Sequence, residues 1–138
     1  MYLHGDLSPD ENIALLKKAV LIFEFLFEDG DYMHFSMCLA SAYRRLAAWY
    51  IEKSETETAL EMLKKAVPYV VMYDSLPEHA VHTSVLVRGL EFNRLHHGKF
   101  EKSYCESFIR ELKSDDEFDS IRESQKFTSI LASLNKHK

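Results

Sequence analysis

Residues 43–66 read YRRLAAWYIEKSETETALEMLKKA. Tyr43, Leu46, Ala47 and Tyr50 recur at helical spacing before a polar turn, and Ala59, Leu63 and Ala66 do so after it, so the stretch predicts two helices packed face to face. The small residues Ala47, Ala59 and Ala66 stand where two helix axes approach most closely. Tyr43, Leu46, Tyr50 and Leu63 fill the space around them.

Extended toward the N-terminus, the first of these helices covers about Tyr32 to Glu52, with Phe35, Leu39, Tyr43, Leu46 and Tyr50 as its core stripe. A second stripe, His34, Met37, Ser41, Arg44 and Ala48, alternates steps of three and four and shares one face of the same helix. Ahead of it, Ser8-Pro9-Asp10-Glu11 combines an N-cap, a proline at the first helical position and a capping-box glutamate, which predicts a helix from Pro9 to about Glu28. That helix carries Ile13, Leu16, Val20, Phe23 and Phe27 on one face, and Leu21, Phe25 and Leu26 widen it. A helix apolar around so much of its circumference is covered from two sides or lies at an interface with another chain.

Downstream, the second helix of the hairpin runs from Thr56 to about Met72, with Pro68 inside it as a site for a kink. Residues 73–77, YDSLP, form a turn, and residues 83–90 have room only for a short helix. A helix over about 103–113 groups Tyr104, Phe108 and Leu112. An acidic turn at 114–117 then leads to an amphipathic helix bearing Phe127, Ile130, Leu131 and Leu134. The Ser-x-x-Glu spacing of the N-terminus recurs just ahead of apolar segments at Ser54 and Ser103, which predicts two more helix starts. The expectation is a single all-α domain over 1–138 with five to seven helices and no sheet, ending in a helical extension over 100–135.

Composition narrows the function. The 138 residues carry a net charge of −5 with no long basic run, so direct nucleic-acid binding by this chain is not expected. The most apolar run, residues 19–27, contains Glu24 and is far shorter than the roughly 20 residues of a membrane helix. The N-terminal residues show no export signal, and Cys38 and Cys105 lack metal or redox spacing. These features point to a cytoplasmic protein with free thiols and no membrane association. His79, His82, His96 and His97 lack a third ligand for zinc, and no cofactor is implied. No nucleophile elbow, phosphate-binding glycine loop or calcium-binding loop is present, so the chain reads as a non-enzyme.

The order of small and bulky residues over 40–73 resembles one tetratricopeptide (TPR) unit, a helical hairpin of about 34 residues. With it, YDSLP at 73–77, HTS at 82–84, LVRGLE at 86–91 and FDSIR at 118–122 resemble the TPR-like C-terminal domain of Firmicutes helix-turn-helix transcriptional regulators of the xenobiotic-response-element type. The resemblance covers about 32–134. It implies antiparallel helical hairpins stacked as an α-solenoid, and a sensor and oligomerisation domain whose DNA-binding part is absent from this chain. It also implies a homodimer, and a concave groove for a peptide or protein partner. The second stripe maps to that groove, which makes His34, Met37, Ser41, Arg44 and Arg45 the expected ligand contacts, with Arg88 pointing into the same groove. The alternatives are that Arg44 pairs with a nearby carboxylate such as Glu52 or Glu57, and that the chain is a stand-alone interaction scaffold without a ligand.

Overall fold

The Ser8-Pro9-Asp10-Glu11 start folds as its chemistry dictates. In the computed structural model, which describes residues 7–93 and 103–137, the Ser8 hydroxyl accepts from the Glu11 amide at 3.2 Å and the Glu11 carboxylate accepts from the Ser8 amide at 3.1 Å. This capping box opens α1 (Pro9–Leu26). Four more helices follow: α2 (Ser36–Glu52), α3 (Thr56–Asp74), α4 (Tyr104–Ser114) and α5 (Gln125–Asn135). Short 3-10 turns at Met33–Phe35 and Asp116–Ile121 lead into α2 and out of α4.

The α2–α3 hairpin is the most extensive packing contact in the chain. Ala47, Ala59, Leu63 and Ala66 are completely buried, as close helix approach requires. The turn between the helices is built differently from the spacing at Ser54. Ser54 takes a left-handed conformation with φ 62°, the Glu55 amide donates to the Tyr50 carbonyl at 2.8 Å, and Glu55 occupies the cap position of α3. So tight a reversal needs a residue with positive φ, and that leaves Ser54 unable to serve as an N-cap.

Around the hairpin, Leu46, Leu63 and Val70 join Phe108, Leu112, Phe118, Phe127 and Leu134 in one core that unites α2 to α5. A smaller cluster of Val20, Leu39 and Ala42 holds α1 on the other side of α2, bordered by Tyr32, Tyr43 and Tyr69. The Tyr43 and Tyr69 rings stack at 5.9 Å, and Tyr32 meets Tyr69 edge-on at 5.5 Å. Burial, with the neighbouring Tyr69 and Glu24, pushes the Tyr32 hydroxyl up to about 12. α3 runs on through Pro68 to Asp74. Pro68 and Lys64 are both exposed, so the Lys64 carbonyl that loses its helical donor faces water, where its loss is cheapest.

The described residues are mostly helical, in keeping with the all-α expectation, and only residues 79–93 depart from the expectation of no sheet. They form a two-stranded antiparallel ribbon, β1 (His79–Val81) and β2 (Glu91–Asn93), with Ala80 opposite Phe92. The short helix expected over 83–90 is reduced to a 3-10 turn at Val85–Val87, closed by Gly89 at φ +86°. Each strand offers only three residues, too few for a two-residue alternation to stand out in sequence. Phe92 is nevertheless 2% exposed and ties the ribbon to the body of the molecule.

Three carboxylates fix what surrounds this ribbon. Asp31, in the turn after α1, accepts from the Thr83 amide at 3.0 Å, the Ser84 amide at 3.2 Å, His82 Nδ1 at 3.0 Å and the Ser84 hydroxyl. Asp29 adds a bond from Thr83 Oγ1 at 2.8 Å, and the His82 ring lies against Phe27 at 5.1 Å. Asp74, the last residue of α3, accepts from the Tyr104 and Cys105 amides at 2.8 Å each and so caps α4 from outside its own segment. Ser103 supplies the ordinary cap, accepting from the Glu106 amide at 3.1 Å.

Candidate functional site

Helical spacing brings His34, Met37, Ser41 and Arg44 to one side of α2 and its leading turn, and Met37 and Arg44 reach side chains of α4 and its C-cap. At one end of this side the Tyr104 hydroxyl reaches the Met37 carbonyl at 3.4 Å, and the Tyr104 and Tyr73 rings meet at 5.4 Å. His34 lies beside the Phe35 and Tyr73 rings. At the other end Arg44 Nε approaches Glu111 at 3.5 Å and its Nη1 approaches Asp115 at 3.8 Å. Burial, with Glu111 nearby, raises the Tyr104 hydroxyl far above its ordinary range, and Arg44 offsets only part of that.

These contacts bear on two expectations. His34, Met37 and Ser41 are half-buried, and they line neither of the clefts described below. Arg44 does pair with carboxylates, but with Glu111 and Asp115 in place of Glu52 or Glu57. Glu57 is engaged by Lys126 of α5 instead. The carboxylates that reach Arg44 come from the last turn and C-cap of α4, and they stand more than sixty residues away along the chain.

The open space begins one turn further along α2. A cleft of about 400 Å³ is lined by Arg44, Arg45, Ala48, Trp49 and Glu52 of α2 and by Glu117 from the 3-10 turn after α4. Its volume lies within the range of small-ligand and peptide-side-chain pockets. Arg44 enters this cleft already balanced by two acids. Arg45 is exposed and has no ion-pair partner among the described residues, which leaves its fork of donors available to a carboxylate. Trp49, one helical turn after Arg45 and the single tryptophan of the chain, is half-buried and offers an aromatic wall. Glu52 and Glu117 place two acceptors around the rim.

Arg88 lies elsewhere. It is exposed on the connection between β1 and β2 and lines neither cleft, because the segment expected to carry it as a helix folds as part of the ribbon. Sequence reasoning missed Trp49 and Glu117. The first had a usable signal, a unique tryptophan four residues after an arginine on an amphipathic helix. The second had none, since its position depends on how the Asp116–Ile121 turn docks on α2.

A second cleft, of about 650 Å³, separates α3 from α5 between Lys64, Val67 and Pro68 on one wall and Lys126, Ser129 and Ser133 on the other. Among the described residues no three His, Cys, Asp or Glu side chains stand close enough to share a metal ion. His82 is buried on Asp31, while His96 and His97 lie outside the described residues. No described helix is long and apolar enough to cross a membrane.

Comparison with known proteins found no match to a protein family, to a curated protein or to a solved structure.

Proposed function

We propose that this chain is the sensing and self-associating domain of a helix-turn-helix transcriptional regulator, built of TPR-like antiparallel hairpins and taking an extended peptide or partner segment in the cleft beside α2. The observation that carries the reading is the pairing of an unengaged arginine, Arg45, with the Trp49 ring in a cleft of about 400 Å³. Arg45 would hold a ligand carboxylate, Trp49 would cover an apolar side chain, and Glu52 and Glu117 would accept from backbone amides or a basic side chain. The hairpin composition over 40–73 and the strings at 73–77, 86–91 and 118–122 support the regulator class. A net charge of −5 agrees with DNA contact being made by another part of such a protein.

The test begins with a random peptide library displayed on phage and selected against the chain. Affinities of the selected peptides are then measured by fluorescence anisotropy, with Trp49 emission as a local reporter. Arg45→Ala is expected to weaken binding about tenfold or more while leaving the melting temperature unchanged, because a solvated arginine contributes little to stability and much to anion recognition. Arg44→Ala is expected to weaken binding less and to lower stability, since it releases Glu111 and Asp115. Equal affinities for wild type and Arg45→Ala would remove the cleft from the reading. A scaffold without a ligand would then stand first, favoured by the exposed Leu21, Ile22 and Phe25 of α1.

A further inference from the structure

The outward face of α1 is apolar where a helix surface is normally polar. Leu15 is 47% exposed, Leu21 63%, Ile22 59% and Phe25 72%, whereas Ile13 and Val20 on the opposite face are each 6% exposed. At about 100° per residue the four exposed side chains fall within an arc of roughly 120°, so they form one strip and not scattered surface residues. The 3-10 turn Val85–Val87 touches α1, and its Val85 and Leu86 are 64% and 60% exposed, adding apolar surface beside the helix.

Charge along the strip alternates. Glu11 lies on the same arc at the N-terminal end, Lys18 stands at the centre of the arc, and Glu28 flanks the C-terminal end, all exposed. Neither Lys18 nor Glu28 has an ion-pair partner among the described residues. Two such strips laid parallel would set Lys18 against Lys18 and Glu28 against Glu28. Laid antiparallel about Leu21 and Ile22, they set Lys18 of one toward Glu28 of the other and leave each Glu11 beyond the end of the opposing helix. A strip complementary to itself only in the reversed direction is what a twofold, isologous interface needs.

We propose that α1 pairs antiparallel with α1 of a second copy about a twofold axis near Leu21 and Ile22, so that Lys18 of each chain lies against Phe25 and Glu28 of the other. Leu21 and Ile22 of both copies then fill the centre, and each ammonium gains an aromatic face and a carboxylate. The proposal rests on the self-association part of the function given above and is independent of the cleft.

Sedimentation equilibrium of the whole chain from low micromolar to near-millimolar concentration tests it, with circular dichroism melts as the folding control. The wild type is expected to reach twice its 16.1 kDa mass. Lys18→Glu and Glu28→Lys are each expected to raise the dissociation constant about tenfold, because each replaces two symmetry-related attractions by repulsions. The double variant Lys18→Glu with Glu28→Lys is expected to return to within about threefold of wild type. Phe25→Glu is expected to give monomers at all but the highest concentrations. A wild type that stays at 16.1 kDa throughout overturns both the pairing and self-association. A dimer unmoved by Phe25→Glu, or charge reversals that the double variant does not rescue, overturns the α1 pairing while self-association through another surface stands.

Discussion

Replacing Asp31 by alanine removes the acceptor for the Thr83 and Ser84 amides, His82 Nδ1 and the Ser84 hydroxyl together. Ser84 is completely buried and His82 is 5% exposed, so their polar groups lose a partner that water cannot readily replace. Leaving buried donors unsatisfied costs about 1–3 kcal/mol for each group, and these share one acceptor, so the expected loss is about 3 kcal/mol at neutral pH. The same site sets a pH dependence. Burial alone would raise the Asp31 carboxyl, but bonds from Ser84, His82 and Thr83 outweigh it and lower the pKa from its ordinary 3.8 to about 2. A carboxyl depressed by that amount contributes about 2 kcal/mol of stability, present in full above about pH 4 and lost as pH falls through about 2. Asp31→Asn keeps the shape but cannot titrate. Urea denaturation of wild type and Asp31→Asn at about pH 6 and about pH 2 isolates the term, because every other carboxylate titrates in both proteins. Hydrogen exchange over 79–93 should rise first in Asp31→Ala, since those residues are what the carboxylate holds. The reasoning fails if Asp31→Asn loses as much stability on acidification as the wild type, or if Asp31→Ala unfolds at the wild-type urea concentration.

Ala59→Phe is expected to overpack the wholly buried α2–α3 contact and cost about 1–3 kcal/mol or more; a thermal melt coincident with wild type would show that the helices do not meet there. Asp74→Ala should cost about 1–2 kcal/mol by uncapping α4, seen as faster amide exchange confined at first to its N-terminal turn around Tyr104 and Cys105. Iodoacetamide should modify Cys38 and spare Cys105 in the native protein, by mass spectrometry of peptides. Cys105 is completely buried, and burial with Asp74 beside it pushes its thiol up to about 12.

Helix existence was legible wherever the apolar spacing was long and regular. The Ser8 cap, the buried Ala59 and Ala66, and the late helices carrying Phe108 and Phe127 were all readable, because each depends on residues within a few turns of one another. The ribbon at 79–93 was not readable, since three-residue strands are held by Phe92 burial and by Asp31 some fifty residues away. The same limit governs the cleft. Arg44 and Arg45 were visible as a basic pair on one helix, but which of them stays open was decided by Glu111 and Asp115 arriving on α4. Long-range partners of this kind leave no periodic trace.

The pair of hydrogen bonds that Asp74 accepts from the first amides of α4 has a consequence for how this chain can change. The backbone leaves α3 at Asp74 and is back at Tyr104 within 2.8 Å of the same carboxylate, so the intervening residues form an excursion with both feet on one spot. For a closed excursion the entropic cost rises only as the logarithm of its length, about 0.6 kcal/mol for each doubling. Exposed positions between the two feet, such as Val85, Leu86 and Leu90, can therefore be exchanged with small effect on the register of α4 against α3, whereas His82, Ser84 and Phe92 are held by the body of the molecule. The place where such a domain would acquire a different accessory surface, while its helical frame stays the same, is fixed by one aspartate.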